Sequence, residues 1–167
     1  IAGVDTGLSC TTASTSCAVT GLAGNSSYTF KVLDYNAVGY ATSVDSDPIQ
    51  PQLTQTINGT TWAGGSAPAS YTKTHGDPTF TLDNSSSSGL PLTYSVTANN
   101  PTDSSYTSRT VCSVSSSGVV NVDVRGTCVI TVTQNGNDAS GNPTAYGSTS
   151  AQVLVVVLAT NPSPITA

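Results

Sequence analysis

The chain has one histidine, His75, set in Thr74-His75-Gly76-Asp77-Pro78. Proton transfer needs an imidazole held within hydrogen-bond reach of its partner, whereas a Gly-Asp-Pro context predicts a turn. Serines are plentiful, but none stands in a nucleophile-elbow context, and no second general base is available to activate one. Paired carboxylates for glycoside hydrolysis would have to be Asp residues in loops, and no spacing singles out a pair. The expectation is a protein that is not an enzyme.

Metal and sugar chemistry have weak candidates. Asp45-Ser46-Asp47-Pro48 offers oxygen donors of the kind calcium takes. Two carboxylates without a wider ligand set equally fit a solvated loop, so no cofactor is expected, with calcium at Asp45 and Asp47 as the one candidate. Zinc would need closely spaced cysteine pairs such as C-x2-C, and there are none. Trp62, Tyr71 and Tyr106 could line a sugar-binding platform, while packing is the ordinary role of a lone Trp. Asn25-Ser26-Ser27, Asn58-Gly59-Thr60 and Asn84-Ser85-Ser86 match the glycosylation acceptor pattern, which Ser/Thr-rich sequence also generates by chance.

The spacing of the four cysteines suggests local pairs, Cys10 with Cys17 and Cys112 with Cys128. Four cysteines allow three connectivities, and this is a choice among them. Disulfides persist in oxidising compartments, which predicts an extracellular or cell-surface protein. Closing each short loop removes roughly 2.5–3 kcal/mol of denatured-state entropy in the loop-closure model.

Charge is scarce across the 167 residues: nine Asp, no Glu, and only Lys31, Lys73, Arg109 and Arg125 as cations, for a net charge of −5. No basic stripe can track phosphates, so nucleic-acid binding is excluded. The longest apolar run, Val153 to Ala159, is too short to cross a bilayer as a helix. The chain starts abruptly at Ile1, which fits a leader that has been removed.

Thr, Ser, Gly and Val dominate, and no stretch keeps a helical period for three turns. β-Branched residues suit pleated, half-buried strands, and Gly, Pro, Asn and Ser punctuate turns. An all-β fold follows, and the resemblances given below imply tandem immunoglobulin-like β-sandwiches, the first of them incomplete. Three regions are expected: residues 1–51, then 52–158 after the stiff joint Pro48-Ile49-Gln50-Pro51, and a linker or tail at 159–167.

In the first region, Gly21-Leu22, Tyr28-Thr29-Phe30-Lys31-Val32 and Asn36-Ala37-Val38-Gly39 resemble the C-terminal half of a fibronectin type III domain. The resemblance implies a tyrosine corner built on Tyr28 and Leu22, with the Tyr hydroxyl bonding back to backbone. Period-2 alternation places Asp34 on the core side near the strand end. Only the equivalents of strands C′, E, F and G fit residues 1–51. A half sandwich leaves one apolar face uncovered and sheet edges unpaired. The expectation is that the missing strands belong to preceding residues or come from another chain, a stable proteolytic fragment being the third alternative.

In the second region, Leu53 to Ile57 reads as strand A, Phe80 and Leu82 as strand B, and Leu92, Tyr94, Val96 and Ala98 as strand C. Cys112 and Val114 precede a Ser115–Gly118 turn. Val120, Val122 and Val124 share one face, as do Cys128, Ile130 and Val132. Ser88-Gly89-Leu90-Pro91-Leu92-Thr93-Tyr94 with Gly126-Thr127-Cys128-Val129-Ile130-Thr131-Val132 resembles bacterial immunoglobulin-like repeats of large surface and secreted proteins. The last strand does not alternate. With Val153, Val155 and Val157 facing the core, Leu154, Val156 and Leu158 form an apolar patch of the kind that marks contact surfaces.

These features predict a structural module of an extracellular bacterial filament, sheath, stalk or surface fibre. Its partners would be copies of itself or adjacent modules of the same polypeptide. The alternative is an adhesin segment or a carbohydrate-binding spacer with a polysaccharide partner.

Overall fold

A computed structural model describes residues 5–59, 69–102 and 108–160 of the chain. Trp62, Tyr106 and the tail 161–167 lie outside the described residues. Every regular element among the described residues is a strand, so the fold is all-β. The chain divides into two compact units, Ile1–Thr54 and Gln55–Ala167.

The first unit carries one hairpin, β1 (Leu33–Asn36) and β2 (Gly39–Thr42), with Tyr35 opposite Tyr40. Asn36 shapes the turn: its Oδ1 accepts the Val38 and Gly39 amides at 2.9 and 3.1 Å. An Asx side chain that bonds the backbone two residues on is a turn-former. Pairing continues irregularly below the hairpin. Ser43 and Ser46 donate their amides to Val32 O and Phe30 O, while their hydroxyls accept the Val32 and Phe30 amides. Tyr28 and Ile49 then exchange both backbone bonds at 2.8 Å.

The second unit contains β3 (Ile57–Asn58), β4 (Ala69–Thr74), β5 (Phe80–Thr81), β6 (Ser85–Ser86), β7 (Thr93–Pro101), β8 (Cys112–Val114), β9 (Val119–Val122), β10 (Gly126–Gln134) and β11 (Thr149–Leu158). One sheet has the order β4-β11-β10-β7, a second is β5-β9-β8, and β3 pairs with β6. All pairings are antiparallel except β4 with β11, which run parallel with Ala69 opposite Val153 and Thr74 opposite Leu158.

The alternation expected for β10 holds residue by residue, with Cys128, Ile130 and Val132 fully buried. Val153, Val155 and Val157 of β11 meet them in one core with Val111, Cys112, Val120, Val122, Val124 and Leu82. Two sheets therefore feed a single core. Asn99 of β7 joins them by polar contact: its Nδ2 donates to Cys112 O, and its Oδ1 accepts the Val111 and Cys112 amides. Gly126 opens β10 where nothing larger fits. Its φ is +147°, and a Cβ there would collide with Asn100 O.

The strand A expected over Leu53 to Ile57 is reduced in the structure to the two-residue strand β3, Ile57–Asn58, with the Ser87 amide donating to Thr56 O just before it. The segment is also anchored through a side chain. Gln55 is buried and donates from Nε2 to Gln134 Oε1 at 2.6 Å and to Gly147 O, while its Oε1 accepts from Ser88 Oγ. Gln134, fully buried at the end of β10, also accepts the Gly136 amide and donates to Asn137 O at 2.8 Å. Each polar atom of the two amides is matched, which is what permits polar groups in a core.

Gln134→Ala leaves the Gln55 amide and the Gly136 N–H without their acceptor. We expect a loss of roughly 2–4 kcal/mol, read as a lower urea midpoint with an unchanged slope.

Candidate functional site

The four cysteines pair as Cys10–Cys17 and Cys112–Cys128. Cys112 lies on β8 and Cys128 on β10, so the second bridge ties the two sheets through the middle of the core. Both sulfurs sit among fully buried neighbours. Cys10–Cys17 closes an exposed loop of the first unit.

Leu154, Val156 and Leu158 lie on the face of β11 opposite the core. Register places Leu154 between Ser70 of β4 and Val129 of β10, and Val156 between Thr72 and Thr127. Strand neighbours half-bury Leu154 and Val156, whereas Leu158 is 50% exposed at the sheet end. Val129 belongs to the same patch, a member that reading β11 alone does not find. Threonines surround it, and some bond their hydroxyls to one another, as Thr97 and Thr131 do at 3.0 Å.

Tyr28 Oη accepts the Ala23 amide at 2.9 Å, five residues back along the chain, and Leu22 is half-buried nearby in sequence. Asn25, in the left-handed region at φ 61°, donates its amide to Pro51 O, and Gln50 Nε2 donates to Asn25 O and Oδ1. These bonds close the lower end of the first unit. Its upper part is open. Val38 is 97% exposed, Val44 87% and Val32 70%, with Tyr35, Tyr40, Leu33 and Ile49 also exposed. Asp34, expected on the core side, stands opposite Ala41 in the exposed hairpin, where no core has formed around it.

Asp45 pairs with Lys31 at 3.4 Å, both side chains largely in solvent. Asp47 is exposed. Among the described residues no group of three His, Cys, Asp or Glu side chains gathers as a metal site. His75 is exposed at the end of β4 and donates its amide to Leu158 O at 2.9 Å. Tyr71 packs its ring 5.1 Å from Phe80 and donates its hydroxyl to Asp83 at 3.1 Å, while Lys73 Nζ sits 4.5 Å over the same Phe80 ring. That cluster fastens β4 to β5.

Two clefts remain. One of about 320 Å³ is lined by Asn84, Ser86, Gly89, Leu92, Tyr94 and Ser117. Burial pushes the Tyr94 phenol above its ordinary value, and its ring lies against Gly118. The other, about 330 Å³, is lined by His75, Arg109, Val124, Arg125, Ala159 and Thr160, with Arg109 bonded to Asp123 at 2.6 Å. No helix among the described residues is long and apolar enough to cross a membrane. Comparison of the chain with protein-family models gives no match, and comparison with curated proteins gives none.

Removing the inter-sheet bridge by Cys112→Ala with Cys128→Ala should cost about 3 kcal/mol, measured by thermal unfolding of the second unit. The pair Cys10→Ala with Cys17→Ala should leave that transition in place. In the β10–β11 connection, the Asn142 amide and side chain, with the Ser140 and Gly141 amides, hold the Asp138 carboxyl below its ordinary value. A depressed carboxylate stabilises above the unfolded value and loses that effect as pH falls through the folded one. The protection factors of the Ser140 and Asn142 amides, taken against the unstructured rate at each pH, should therefore hold at neutral pH and fall only below the ordinary value of 3.8.

Proposed function

We propose that this chain is a non-catalytic structural module of an extracellular bacterial assembly, a filament, sheath, stalk or surface fibre, that associates with copies of itself or adjacent modules through exposed strand surfaces. One observation carries the reading. Eight of the nine exposed large apolar side chains belong to the first unit, while every buried residue of the described chain belongs to the second. An apolar surface of that concentration exceeds what scattered surface hydrophobics explain. The edges of β1 and β2 add unpaired backbone groups beside it.

Other features support the same reading. The Tyr28 bond to Ala23, the sequence likeness to fibronectin type III and bacterial immunoglobulin-like repeats, and two sheets on one core are consistent with tandem sandwich modules. Two disulfides and a surface rich in hydroxyls suit an oxidising space outside the cell. The second reading, an adhesin or carbohydrate-binding spacer, draws on the hydroxyl- and amide-lined cleft beside Tyr94.

Negative-stain microscopy and sedimentation of the chain test the choice. We expect concentration-dependent polymers, abolished by Val32→Lys with Val44→Lys while thermal unfolding of the second unit is unchanged. A chain that stays monomeric at every concentration and is retained on a polysaccharide column would sink the assembly reading in favour of the second.

A further inference from the structure

We infer that the cleft lined by His75, Arg109 and Arg125, at one end of the four-stranded sheet, is a carboxylate-binding site for the uronate units of an acidic polysaccharide. The inference goes beyond the assembly reading and stands without it, since it rests on where the chain places its few cations.

Five side chains of this protein can carry positive charge, Lys31, Lys73, His75, Arg109 and Arg125, against nine Asp. Three of the five line one cleft of about 330 Å³. No carboxylate is among the residues that line it. In a chain of net charge −5, this is where the local field turns positive.

The sheet brings these residues together. Because β4 and β11 run parallel, Thr74 and Leu158 end side by side, and β10 begins next to them with Gly126 opposite Val157. His75 therefore follows the end of β4, Ala159 and Thr160 follow the end of β11, and Arg125 stands just before β10. The His75 amide bond to Leu158 O, at 2.9 Å, ties the first two ends. Val124 is buried in the core, which turns its neighbours Asp123 and Arg125 outward. The Asp123 amide donates to Val111 O, and Arg125 O accepts the Thr102 amide, so the approach to β10 is held on both sides of Val124. Arg109 comes from the segment before β8 and is bonded to Asp123 at 2.6 Å.

Guanidinium groups present N–H donors in planar forks, which match the two oxygens of a carboxylate. The rest of the lining suits a sugar ring. Val124 and Ala159 offer apolar contact to C–H groups, and Thr160 offers a hydroxyl. The volume is at the small end of ligand sites, which span roughly 300–1,000 Å³. It takes a single acidic sugar unit of a chain and is too small for a folded partner.

Titration calorimetry of the full chain, disulfides intact, with galacturonic acid oligomers tests the site. We expect saturable binding that neutral galactose oligomers of equal length lack. Arg109→Gln and Arg125→Gln should each weaken it at least about tenfold, because each removes charge-assisted bonds. Lys31→Gln, the same charge change outside the cleft, should leave it unchanged. Thr160→Trp fills the cleft without altering any charge and should abolish binding, with thermal unfolding of the second unit reporting that each variant folds. Equal binding of the neutral oligomer, an equal loss in Lys31→Gln, or no binding of the galacturonate oligomer overturns the site. Tighter binding of a heparin oligomer of equal charge overturns the carboxylate assignment in favour of sulfate. Sedimentation of the same proteins scores assembly separately. Galacturonate binding without polymers keeps the site and removes the assembly reading. Polymers lost in the Arg variants, with no galacturonate binding, give the cleft to an acidic side chain of a second copy and overturn the saccharide.

Discussion

The alternation of β10 is the constraint on which the second unit depends. From Gly126 to Gln134 every second residue is buried, and the strand is bonded along both edges, to β7 and to β11. A strand in that position cannot slip by one residue without turning Cys128, Ile130 and Val132 to the outside. Register is therefore fixed for both neighbours, and through Cys128 for β8 in the other sheet. The valines of β11 are aligned by the same ladder, which sends Leu154, Val156 and Leu158 outward as a consequence of burying the other three.

The first unit has no comparable strand. Its bonds are those of turns and sheet edges: Asn36 capping a hairpin, serine hydroxyls accepting the Val32 and Phe30 amides, Tyr28 reaching back to Ala23. Such contacts define a backbone path without removing apolar surface from water, and burial supplies most of the favourable free energy of folding.

Strands whose residues alternate over five or more positions, β7, β10 and the core side of β11, are legible in the sequence because burial imposes period two on the residues themselves. Cysteine spacing suggests the pairs that form but leaves the other two connectivities open. β4 is not: Ala69-Ser70-Tyr71-Thr72-Lys73-Thr74 carries little apolar weight, and its parallel partner is more than eighty positions away in the chain. The Gln55–Gln134 contact is invisible for a related reason, since a lone Gln has no pattern to betray that it is buried. Alternation puts Asp34 on a core side only by presuming a core, and it is silent about whether one exists. Leu154, Val156 and Leu158 can be found from their failure to alternate; Val129 beside them needs the register.

The parallel pairing of β4 with β11 also orders events in time. β4 is made early in the unit and β11 late, so as the chain emerges from a ribosome or a secretion pore, β4 has no partner until the strand more than eighty positions later follows. Contacts that distant in sequence close slowly, because loop-closure entropy opposes them before any bond forms. The hairpin of β8 and β9 and its bridge to β10 can form before then, leaving a partly built sheet with one open edge waiting for its last strand. In that interval the exposed edge of β10 is the part of the unit most open to wrong pairing, a hazard that this topology carries until β11 arrives.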